Sequence, residues 1–135
     1  MTTILPIALT TAAASALIGL WLAVRIAAVR TAEKIFVGDG GNDRLIRRMR
    51  AQANFVEYAP FILILIGLME LGAGSSRWLW VVSVLFVAAR VLHPLGMDGG
   101  RMVICRRIGI IVTLVLLLFL AVMAAWLART GTLPF

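Results

Sequence analysis

Arg50-Ala51-Gln52-Ala53-Asn54-Phe55-Val56-Glu57-Tyr58-Ala59-Pro60 decides the reading of this chain. It opens an apolar run that continues to about residue 71, so its polar side chains enter a segment long enough to cross a bilayer. At about 100° per residue, Arg50, Asn54 and Glu57 fall within an arc of roughly 60°, with Gln52 on nearly the opposite side. A charge at bilayer depth costs on the order of 2.5–3.5 kcal/mol on insertion scales. A polar stripe there needs a partner or a polar ligand, which makes it a candidate site.

Composition fixes the class around that stripe. Of the 135 residues, 62% are hydrophobic and the mean hydropathy is +1.04, whereas a soluble domain is roughly 45–50% apolar. Apolar segments cover about 4–24, 51–71, 78–95 and 103–127, and roughly 20 apolar residues suffice to span. The expected fold is all-α: an integral-membrane bundle of four helices, one domain over 1–135, without a soluble part.

Charge sets the expected orientation. Arg25, Arg30, Lys34, Arg44, Arg47, Arg48 and Arg50 surround the first connection, and Arg101, Arg106 and Arg107 the third. Only Arg77 lies in the second, and no Lys or Arg precedes Arg25. The positive-inside rule then places connections one and three in the cytoplasm and both termini outside. Topology and anionic lipid account for the net charge of +7 and the sequence pI near 11.5 without a nucleic-acid partner. Ala12-Ala13-Ala14-Ser15-Ala16 resembles a cleavage region, but no basic n-region precedes it and the apolar run continues through Leu22. We read an uncleaved first span, in which Ala12 with Ala16 and Ser15 with Gly19 allow close helix approach.

The connection over 31–45 contains Gly38-Asp39-Gly40-Gly41-Asn42-Asp43, a turn in which Asn42 or Asp43 can cap the next helix. A phosphate-cradling motif is absent from it. With one His and one Cys there is no metal-ligand set. Cys105 reads as a small apolar residue beside Arg106 and Arg107, and Trp78, Trp80 and Trp126 as anchors at the outer interface. In the third span Arg90 and His93 share a helix face. Arg90 lies roughly 8 Å of helix rise inside the segment's end, and Glu57 about 10 Å inside Arg50. Similar depth suggests a Glu57–Arg90 ion pair, with Asn54 and His93 close by.

These residues carry a resemblance. Arg-x-Gln-x-Asn-x-x-Glu-Tyr-x-Pro over 50–60 resembles the signature of the MAPEG family, the membrane-associated proteins of eicosanoid and glutathione metabolism, which includes leukotriene C synthase and microsomal glutathione transferases. Gly38-Asp39-Gly40-Gly41-Asn42 and Arg90-Val91-Leu92-His93-Pro94-Leu95-Gly96 look like its bacterial branch, and the likeness spans essentially the whole chain. It implies a homotrimer in a bacterial inner membrane, with glutathione as cosubstrate between subunits near the cytoplasmic face. Arg50, Asn54, Glu57 and Tyr58 match the glutathione contacts of one subunit, and Gln52 and Arg30 those of its neighbour. Arginines suit the two carboxylates of glutathione and Glu57 its ammonium. The arginine that holds the thiolate in the eicosanoid branch corresponds best to Arg106, with Arg107 and Arg101 as rivals; Arg90 and His93 would support the pocket. His93 and Met97 replace two tyrosines of the leukotriene C synthase branch, which points away from a dedicated eicosanoid synthase. The resemblance therefore implies a glutathione transferase or peroxidase acting on lipophilic electrophiles or lipid hydroperoxides. The alternative is a non-catalytic lipid-binding or scaffold protein of the same fold. A transporter would need broken helices, and none is apparent.

Overall fold

Four long helices carry most of the chain in a computed structural model, which describes residues 4–99 and 102–134. They are α1 (Pro6–Glu33), α2 (Asp43–Ala73), α3 (Arg77–Met97) and α4 (Val103–Thr130), and all four are long and apolar enough to cross a membrane. Among the described residues there is no strand. Successive helices run antiparallel, so residues 4 and 134 lie at the end of the bundle away from the arginine-rich connection.

The helices outrun the apolar segments that mark them. At 31 residues α2 is about 46 Å long, against about 30 Å of hydrocarbon. The surplus lies at the basic end, in residues 25–33 of α1 and 43–50 of α2. Apolar composition marks the part of a helix that sits in lipid; helix length is set by where a terminator occurs. α1 stops only at Lys34, in the left-handed conformation with φ 56°, and positive φ at Gly38, Gly40 and Gly41 carries the chain through the turn. Of the two expected caps, Asn42 does the work: its side chain accepts from the Leu45 amide at 3.0 Å.

The first turn of α1 is capped from another helix. Pro6 supplies the fixed φ of a helix start, and the carboxylate of Glu70, near the end of α2, accepts from the amides of Ile7 (3.0 Å) and Ala8 (2.8 Å). The Ser75 hydroxyl donates to the same carboxylate at 2.7 Å. Glu70 is buried, yet each of its oxygens has a partner.

α3 packs most extensively on α4 and α1 on α2, while α1 and α4 occupy opposite corners and do not meet. The core joins Ile62, Ile66 and Met69 of α2 to Leu79 and Phe86 of α3 and Leu116 and Leu120 of α4. A smaller cluster of Ile26, Val29 and Leu45 closes the basic end. Leu9, Leu17, Phe61, Ile64, Leu68 and Leu118 point outward and are largely exposed, the distribution expected where lipid is the solvent. Ala12, Ser15, Ala16 and Gly19 line an open apolar groove together with Phe55, Val56 and Ala59 of α2.

Candidate functional site

Near the basic end, α2, α3 and α4 enclose one side of an open cleft of about 320 Å³. α2 lines it with Arg50, Ala53, Asn54 and Glu57, α3 with His93 and Met97, and α4 with Arg106 and Ile110. The polar stripe read from the sequence thus faces one concavity. Arg50, Glu57 and Arg106 are exposed, and none of the three makes a hydrogen bond or ion pair among the described residues. His93 is only 6% exposed, and its Nδ1 is buried without a hydrogen-bond partner.

Two glycines bring α4 against α3 so that Arg106 can form the far wall. A Cβ on Gly96 would lie 2.2 Å from the backbone nitrogen of Arg106, and one on Gly109 would lie 2.7 Å from the carbonyl oxygen of Ala89. Only a residue without a Cβ fits either position. The contact also redirects Arg90. Its guanidinium, 1% exposed, donates to Asn54 Oδ1 at 2.9 Å and to the Gly109 carbonyl at 3.1 Å. The anticipated Glu57–Arg90 ion pair is therefore not formed: the close approach at Gly109 offers Arg90 a buried carbonyl, Asn54 takes its other face, and Glu57 stays in the cleft. Arg90 supports the site from behind by fixing Asn54.

The remaining expected residues do not line the cleft. Gln52 and Tyr58 are half-buried and outside its lining. Arg30 holds the first connection, donating to the carbonyls of Ile35 (3.1 Å) and Gly38 (2.9 Å) and to Met49 Sδ (3.6 Å). Arg107 is exposed and outside the cleft, so of the two described candidates on α4 only Arg106 reaches it. Arg101 lies outside the described residues. Arg50 and Ala53 also border a second cleft of about 320 Å³, with Asp39, Ile46 and Met49.

Sequence reasoning missed Gly96 and Gly109 as builders of the site, and Ile110 as its apolar wall. A glycine three residues after Arg106, inside an otherwise β-branched run, was the available signal for the second. Among the described residues no group of three His, Cys, Asp or Glu side chains is arranged for a metal. Two guanidiniums and one carboxylate across an open cleft suit a zwitterionic ligand with more than one carboxylate.

A family model for the MAPEG family matches residues 8–126. The chain is also similar to the protein named "Inner membrane protein YecN" of Escherichia coli strain K12, with 27% identity over 112 residues, which cover 83% of this chain and 85% of the relative. The protein of the same name from the O6:H1 strain aligns with the same identity and coverage.

Proposed function

The chain belongs to the MAPEG family, and from that membership we propose that it is an inner-membrane, glutathione-dependent transferase or peroxidase. The observation that carries this reading is the convergence of Arg50, Asn54, Glu57, His93 and Arg106 on one cleft. Glutathione has two carboxylates, one ammonium and one thiol, and the cleft offers them two guanidiniums and one carboxylate. Arg50 takes a carboxylate and Glu57 the ammonium. Arg106, on the opposite wall, is left for the sulfur.

The chemistry follows from the thiol. Its free pKa is about 8.5, so little is ionised at neutral pH, and a guanidinium at the sulfur favours the thiolate. With an electrophile, the thiolate forms a carbon–sulfur bond and a leaving group departs, or the adduct takes a proton. With a hydroperoxide, it attacks the O–O bond and releases the alcohol; the sulfenic acid so formed condenses with a second glutathione to give the disulfide and water. Ile110, Met97 and Ala53 provide the apolar side on which a lipophilic partner can lie, and holding both reactants in one cleft supplies proximity. Arg30 and Gln52, which do not line the cleft here, are assigned to the neighbouring subunit's site in a homotrimer, on the cytoplasmic side of the membrane.

Turnover in detergent micelles, with a model electrophile and a lipid hydroperoxide, tests the reading. The expected result is glutathione-dependent product that Arg106→Ala abolishes. Glutathione binding without turnover of either substrate would favour the non-catalytic lipid-binding alternative.

A further inference from the structure

Asp98 follows the last turn of α3 at the basic end and is shared by two arginines. Its Oδ2 accepts from the Nη2 of Arg25 on α1, and its Oδ1 lies 3.7 Å from the Nε of Arg48 on α2. Arg48 Nη1 also donates to the Arg25 carbonyl at 2.6 Å, and the Arg25 guanidinium sits 4.7 Å from the centroid of the Trp21 ring. The side chains of Arg25 and Arg48 are 12% and 13% exposed and that of Asp98 41%, so the arginines are held against protein while solvent screens the shared carboxylate in part. One carboxylate thus ties together three helices.

The tied turn is the one that meets the cleft. Met97, next to Asp98, lines it, and Gly96 rests on the backbone of Arg106. On α2, Arg48 and Arg50 point about 200° apart, so one face of the helix enters the clasp and the other the cleft. The clasp therefore fixes the α3 turn on which Arg106 is mounted relative to the helix that carries Arg50. We propose that Asp98 is a positioning residue for Arg106: its ion pairs to Arg25 and Arg48 hold the end of α3, on which the first turn of α4 rests, against α1 and α2 and so keep the Arg106 guanidinium aimed into the cleft.

This inference rests on the glutathione reading above, and two measurements on the full-length protein separate them. The first is the ultraviolet thiolate signal of bound glutathione together with its dissociation constant. The second needs no glutathione: the rate at which a maleimide alkylates Cys105, the sole cysteine, which adjoins Arg106. Asp98→Asn is expected to lose roughly tenfold of the thiolate signal at neutral pH, with a glutathione affinity close to wild type. Its Cys105 labelling is expected to rise several-fold, and Asp98→Glu to restore both. A wild type that forms thiolate, with Asp98→Asn unchanged in both readouts, overturns the positioning role and leaves the function standing. Equal losses of thiolate and affinity would make Asp98 a general brace and also overturn it. A wild type that binds glutathione without thiolate overturns the function instead; Cys105 labelling then judges the clasp alone, and an unchanged rate sinks it.

Discussion

The side chains that matter most are those whose partners are missing. Arg50, Glu57 and Arg106 face each other's cleft without pairing, whereas Arg90, Arg25 and Arg48 are each engaged with protein groups. Charges left open in a shared concavity are available to a ligand. Glu57→Gln and Arg50→Ala are each expected to weaken glutathione binding by roughly ten- to a hundredfold, the worth of about 1.5–3 kcal/mol for a charge-assisted hydrogen bond, while the protein stays folded with the elution volume of wild type; isothermal titration and size-exclusion chromatography check both halves. Arg106→Ala is expected to keep most of the affinity and lose the thiolate, and Arg107→Ala to change neither. The stripe itself was legible because helical periodicity places Arg50, Asn54 and Glu57 together from spacing alone. The partner of Arg90 was not. Depth along the helix made Glu57 a fair candidate, but the winner is the Gly109 carbonyl, whose availability depends on how closely two helices approach.

At the scale of helices, small residues and caps decide the geometry. Gly96 and Gly109 set the α3–α4 contact, and only the place of Gly109 in a β-branched run hints at it in the sequence. Gly109→Val is expected to push α4 off the carbonyl of Ala89, costing about 1–3 kcal/mol by overpacking, and to lower the midpoint of thermal unfolding in detergent. Glu70 is the second device. Replacing it with Ala strands the buried amide of Ile7 and the part-buried amide of Ala8, at about 1–3 kcal/mol for a lost partner. The expected result is a lowered unfolding midpoint for Glu70→Ala, with a smaller drop for Glu70→Gln, which keeps one acceptor oxygen. A midpoint equal to wild type in both would mean that α1 starts without this cap. Neither Glu70 nor Asp98 was legible, because each acts across a sequence separation of fifty residues or more on a backbone end or a distant arginine.

For the molecule as a whole, the apolar segments announced four membrane-length helices, since hydrocarbon allows little else. Their number and order match the structure, and only their ends differ, chiefly where α1 and α2 continue past the apolar segments at the basic end. The open side of the cleft, and the location of Arg30 and Gln52 away from it, belong to the same scale. If neighbouring subunits complete each site, a mixture of subunits can share what neither holds alone. Co-assembling Arg106→Ala with Gln52→Ala subunits is expected to recover part of the activity that each variant lacks, measured as turnover against subunit ratio. Purely additive, inactive mixtures would place every needed residue within one chain.

The cleft is proposed to bind glutathione and ionise its thiol. The most direct test is the ultraviolet thiolate difference absorbance of glutathione mixed with the detergent-purified wild-type protein, recorded across pH. A saturable signal is expected whose midpoint lies well below the free thiol value of about 8.5, lost in Arg106→Ala. A well-folded protein with no saturable signal, or one that titrates as free glutathione does, would contradict it.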